Sequence, residues 1–144
     1  MIDCREVVGK IGTCEVQLDS MYAEIARSSG LTDNALMVFC IMADEADVTQ
    51  KTITDELHLA KSTVHSIVKS LAAQDYIAFS DRKIGKEKVL VLTESGSTFC
   101  NKVMDTVHER ERKLLDAPGE AVCEELLALA DRFIGCFENM SAGD

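Results

Sequence analysis

The sequence predicts a mainly α-helical chain with one β-hairpin wing: a winged helix-turn-helix lobe flanked by N- and C-terminal helices. Three observations predict it. Apolar residues recur at alternating four-three spacing near both ends, in Val7, Ile11, Cys14, Leu18, Met21 and Ile25 and again in Val122, Leu126, Leu129, Phe133, Cys136 and Met140. That spacing draws one stripe along a helix. In the middle, "KTITDELHLAKSTVHSIVKSLAAQDYIAF", Lys51 to Phe79, holds two short helical patterns separated by a few residues. The period then changes, because Tyr76–Phe79 and Lys88–Thr93 are rich in β-formers and flank a charged connection that contains Gly85.

The elements follow in order. A first helix covers roughly Asp3 to Ser29, and Gly30 ends it. Thr32 or Asp33 caps a second, nearly all apolar helix from about Asn34 to Glu45. Thr49 caps a third, Gln50 to His58, with Ile53 and Leu57 facing in. Lys61 or Ser62 starts a fourth, which runs to about Gln74 with Val64, Val68 and Leu71 inward and Ile67 beside them. The hairpin comes next. "TESG" at Thr93–Gly96 opens a fifth helix to about Leu115, and "DAPGE" separates it from a sixth. This gives a single domain over residues 1–144, with a lobe at 34–93 between terminal helices at 3–29 and 95–140. The terminal seams are longer than one small lobe could cover, so they are expected to pair with a second copy of the chain.

Composition narrows the classes. The 144 residues are 47% hydrophobic, with one proline and eight glycines, which suits a helical globular protein and not a disordered one. No run is long enough to span a bilayer, and "MIDCREVVGK" has no basic leader followed by an apolar stretch. Six cysteines lie far apart without a C-x-x-C pair, which predicts free thiols in a reducing cytoplasm. No Gly-rich phosphate loop, no G-x-S-x-G and no Cys–His pairing is present, so neither an enzyme nor a cofactor is expected.

The fourth helix carries the chemistry. A helix that reads DNA hides one face and shows a row of small or hydrogen-bonding groups on the other. Here Ser62, Thr63, His65, Ser66 and Lys69 lie opposite Val64, Val68 and Leu71. Hydroxyls and an imidazole suit base edges, and Lys61 and Lys69 suit phosphates. The hairpin adds Arg82, Lys83, Lys86 and Lys88, placed for the backbone or the minor groove. Charge is partitioned to match. Thr49–Thr93 holds seven bases, Lys51 among them, against five acids, whereas the rest of the chain holds eight bases against twenty acids. Positive charge therefore gathers where double-stranded DNA would sit, in a chain of formal charge −10. Polar-faced helix pairs also serve as protein-docking modules, and a winged-helix interaction module without DNA binding is the rival expectation.

Three stretches, "SGLTDNALMVFCIMA", "VTQKTITDELHLAKSTVHSIVKSLAAQDYI" and "VLVLTESGSTF", resemble the MarR family of bacterial winged-helix regulators. They come in the family's order at about its spacings, and with the terminal helices they cover nearly the full chain. The resemblance implies an obligate homodimer built from the terminal helices, with two lobes on a palindromic operator, acting as a ligand-responsive repressor. Two features depart from the family pattern. Its wing carries an acidic residue followed by two arginines just before the second strand; Asp81-Arg82-Lys83 is similar but lies about three residues earlier. Ser66 stands where many relatives have a basic residue.

Relatives in that family answer to phenolic ligands, oxidants or metals. A small-molecule effector would lie between the lobe and the terminal helices, near Met21, Tyr22, Ile25, Met37, Ile41 and the start of the fifth helix, all of which could equally be plain core. For oxidants, Cys14, Cys40 and Cys136 read as buried packing, while Cys4 and then Cys100 are the candidates for exposed thiols. The reactive cysteine of the peroxide-sensing branch would fall near Val8. His58, His65 and His108 lack a second imidazole one turn away, so no metal site is expected.

Overall fold

The computed structural model describes residues 1–143. Among them are six helices, α1 (Cys4–Ser28), α2 (Asp33–Asp44), α3 (Gln50–Leu57), α4 (Lys61–Ala73), α5 (Glu94–Asp116) and α6 (Glu120–Ser141). Strands β1 (Ile77–Ile84) and β2 (Glu87–Leu92) form one antiparallel pair. The chain divides into two compact units, residues 1–107 and 108–144.

In the first unit the apolar faces of α2 to α5 and the hairpin meet. Leu36, Val38, Phe39, Ile53, Val64, Val68, Leu71, Ile77, Leu90, Cys100 and Val103 form the core, joined by Ile25 and Ala26 from the last turns of α1. Local chemistry sets the boundaries. The Thr32 hydroxyl accepts from the Ala35 amide at 3.2 Å, which caps α2. Thr49 and Thr52 form a reciprocal capping box that starts α3. His58, in the left-handed region at φ +51°, turns the chain from α3 toward α4.

Helices α1 and α4 end alike. Leu31 and Gly30 amides donate to the Ala26 and Arg27 carbonyls, and Tyr76 and Asp75 amides donate to the Leu71 and Ala72 carbonyls. Both are Schellman endings, which place one residue in the left-handed region. That residue is Gly30 in the first case and Asp75, at φ +61°, in the second.

The α4–β1 corner is tied to the start of α5. The Thr93 amide donates to the Tyr76 carbonyl at 3.1 Å, and the Thr93 hydroxyl donates to the Asp75 carbonyl. The same hydroxyl oxygen accepts from the Gly96 amide at 2.9 Å. A Cβ on Gly96 would stand 1.8 Å from the Tyr76 carbonyl oxygen, so only glycine fits. Two residues of "LTESG" thus have a structural role.

The hairpin is longer than the sequence suggests. β1 continues past Phe79 to Ile84, and the connection shrinks to the turn at Gly85–Lys86, with Gly85 at φ +60°. The register runs Phe79↔Leu90 and then Lys83↔Lys88, so β1 carries extra residues in a bulge that breaks the period-two pattern. At its root the wing is held to the α2–α3 loop: the Leu90 amide donates to the Val48 carbonyl at 2.7 Å, and Arg82 is ion-paired with Asp47.

The second unit is a helical hairpin made by the end of α5 and α6, joined through Gly119 at φ +84°. Its apolar side chains, including Leu126, Leu129, Phe133, Phe137 and Met140, are exposed, as are Val7, Ile11 and Leu18 on α1. Periodicity locates these stripes but not what covers them. Cys14 and Cys136, expected to be buried, are exposed in the single chain for that reason. Cys40 is half-buried and Cys100 is buried; the latter faces the core with Val103 and Val107. Burial and, to a lesser extent, the nearby Asp44 push the Cys100 thiol pKa up, which corrects the expectation that it is reachable.

Candidate nucleic-acid interface

Burial sorts α4 into two faces. Val64, Val68 and Leu71 are buried, and Lys61, Ser62, Thr63, His65, Ser66 and Lys69 are exposed. Every outward residue expected from the sequence is therefore outward. Ala60 precedes the helix and offers no side-chain cap to its first amides. Within this face, the Ser66 hydroxyl donates to the Ser62 carbonyl at 3.0 Å, which leaves its oxygen able to accept. His65 Nδ1 lies 3.2 Å from Gln50 Oε1, an approach that joins the start of α3 to the outer face of α4.

The remaining cations divide by how they are held. Lys51 is bonded to Asp55 one turn on, and this carboxylate raises the Lys51 pKa above its ordinary value. Arg82 is engaged by Asp47. Lys83 and Lys88 stand opposite each other across the hairpin, both exposed, and Lys86 occupies the turn. Like charges directly opposed across two strands disfavour the hairpin. A fold that keeps such a pair at a tip concentrates positive potential there, which suits an anionic partner.

Of the residues considered for an effector, Ile25 and Ile41 are buried in the core, whereas Met21, Tyr22 and Met37 are partly exposed. A separate open hollow of about 660 Å³ lies at the α4–β1 corner, lined by Asp75, Tyr76, Thr93, Glu94, Phe99 and Lys102 among others. Its floor is aromatic, with the Tyr76 and Phe99 rings stacked at 4.5 Å and Phe39 set edge-on to Tyr76. Sequence reasoning does not find Gln50 or Asp47. Gln50 lies beside the cap Thr49, but its partner is fifteen residues away, and that of Asp47 is thirty-five away. No group of three or more metal-ligating side chains occurs among the described residues, and no helix among them is long and apolar enough to cross a membrane.

Residues 29–83, from the end of α1 through most of β1, match the model of the MarR family. No curated protein matches the sequence. Solved structures align over nearly the whole chain. A MarR/EmrR family transcriptional regulator from Acinetobacter sp. ADP1 superposes with a TM-score of 0.81 at 21% identity, covering 96% of this chain and 99% of that one. A MarR family regulator from Neisseria meningitidis gives 0.78 at 22%, covering 98% of each chain. A Staphylococcus aureus MarR in complex with salicylate and kanamycin gives 0.79 at 15%, covering 94% and 92%. Residues 29–83, which hold the helix-turn-helix and most of the first wing strand, match the model of the MarR family, and nearly the whole chain shares its winged-helix fold with solved regulators of that family.

Proposed function

We propose that this chain is a homodimeric, sequence-specific DNA-binding transcriptional regulator that acts as a repressor on a palindromic operator. The observation that carries the reading is the face of α4: six exposed polar residues, Lys61 to Lys69, over a wholly apolar buried face, beside a wing tip of opposed lysines. A protein-docking module would more readily present apolar groups there. Ser62, Thr63, His65 and Ser66 supply base-edge contacts. Lys61, Lys69, Lys83, Lys86 and Lys88 supply phosphate contacts. Lys51 and Arg82 join them only by exchanging Asp55 and Asp47 for a phosphate.

Dimerisation is supported by the uncovered apolar stripes of α1 and α6, since monomeric soluble proteins rarely leave such patches open. Two copies then present two α4 helices to two half-sites. Repression needs nothing beyond occupancy of the operator. An effector is supported by the ligands held in the Staphylococcus aureus structure, and here it would meet Met21, Tyr22 and Met37, which remain accessible beside the core.

A salt titration of binding to the gene's own upstream DNA and to scrambled DNA tests the reading. Replacing Lys86 and Lys88 with Ala should weaken both complexes alike. It should also flatten the salt dependence by up to about one log–log unit for each phosphate no longer neutralised, counted twice in a dimer. Thr63→Ala should instead weaken the cognate complex by about 1–3 kcal/mol for each base edge it ceases to touch, and leave the slope nearly unchanged. If no variant alters binding, the docking module is the better reading.

A further inference from the structure

The approach of α3 to α4 assigns a role that the exposed face alone does not. We infer that Gln50 fixes the tautomer of His65, so that His65 Nε2 is an acceptor that reads an exocyclic amino group on a base edge. The inference rests on the DNA-binding reading above and adds which chemistry His65 recognises.

The 3.2 Å separation of His65 Nδ1 from Gln50 Oε1 is a hydrogen-bond distance. An amide oxygen only accepts, so the proton between them belongs to Nδ1. In the neutral ring the second nitrogen is then a lone-pair acceptor. Nε2 belongs to an exposed side chain on the first turns of α4, with Ser62 one turn before it and Lys69 one turn after. The early residues of a reading helix are the ones that meet base edges. In the major groove the amino donors are adenine N6 and cytosine N4, whereas guanine shows only acceptors, N7 and O6. A ring held as an acceptor therefore selects adenine or cytosine at its position and disfavours guanine. Gln50 is placed for this work because the Thr49–Thr52 capping box sets the first turn of α3, where Gln50 sits. Gln50 is thus a positioning residue that acts through His65. If its amide faced the ring through the NH2 group, Nε2 would carry the proton and the preference would reverse to guanine.

Two measurements test this on the full-length chain. Long-range nitrogen–proton NMR spectra of the DNA-free protein, at a pH where the ring is neutral, should show the proton on Nδ1 in the wild type. Gln50→Glu, which keeps an acceptor, should retain it, and Gln50→Ala should lose it. A proton on wild-type Nε2 would overturn the inference without touching the DNA-binding reading. The second measurement is selection from a randomised duplex pool. The base pair whose preference disappears in His65→Ala should place adenine or cytosine against the ring. Gln50→Ala should lower the discrimination at that pair about tenfold and leave affinity for scrambled DNA unchanged, and Gln50→Glu should restore the discrimination at a pH where the ring is neutral. Guanine or thymine placed against the ring, or a preference indifferent to Gln50→Ala, would refute the inference. No enriched sequence for the wild type would overturn the DNA-binding reading and the acceptor's role with it, while the ring spectra would still decide the tautomer.

Discussion

Replacing Gly96 with alanine tests how the lobe is held together. In an open helix the change is favourable by about 1 kcal/mol, because glycine is the poorer helix former. Here the new Cβ would meet the Tyr76 carbonyl oxygen at 1.8 Å and its carbon at 2.7 Å, where Cβ contacts under 3.0 Å essentially do not occur. The oxygen cannot simply swing away. It accepts from the Thr93 amide, and the Tyr76 amide is bound to the Leu71 carbonyl at 3.0 Å. Relief requires the start of α5 to move off the α4–β1 corner by at least 1.2 Å, the difference between 1.8 and 3.0 Å. Overpacking of this kind costs about 1–3 kcal/mol and occasionally more, and a broken Tyr76–Thr93 bond adds about 1 kcal/mol. After subtracting the helix gain, the expected loss is about 1–3 kcal/mol, or a fall in Tm of roughly 2–12 °C. Thermal and urea unfolding followed by circular dichroism would measure it. Gly9→Ala serves as the control, since nothing lies within 4 Å of its added Cβ. A Gly96→Ala melt at or above that of the wild type would refute the packing argument.

Three further outcomes are expected. Asp75 occupies a left-handed position that glycine fills at the end of α1, so Asp75→Gly should raise stability by about 1 kcal/mol in denaturant titration; a loss would mean that the Asp75 side chain is needed there. Thiol labelling should find Cys4 fast and Cys100 slow, because burial raises the Cys100 pKa. Cys14 and Cys136 should become protected as protein concentration rises through the range in which sedimentation detects dimer. Equal labelling of both at all concentrations would argue against the paired seams.

What is legible in the sequence depends on the range of the cause. Helix boundaries are legible within a residue or two because caps such as Thr32 and Thr49 act over three residues. The inward and outward sides of α4 follow from its period alone. The wing departs from expectation because the bulge between Phe79 and Lys83 breaks alternation without a glycine or proline to announce it. Cys100 is buried where an exposed thiol was expected, although it lies one turn after Gly96 and one before Val103 and Met104, all buried; that spacing alone marks it as inward. The ties from Asp47 to Arg82 and from Gln50 to His65 join residues far apart in the chain, and no local pattern encodes them.

The wing has a fixed root and a plain tip. Val48, Asp47 and the bulge pin β1 and β2 at one end, while Ile84 to Glu87 close the other with a two-residue turn. Length can therefore change at the tip without altering the register below it. Each residue added to both strands would extend the tip by about 3.3 Å and turn the new pair to the opposite face. Natural variation in this segment is thus free to adjust how far the lysines extend in discrete steps, while the lobe that carries α4 keeps its packing.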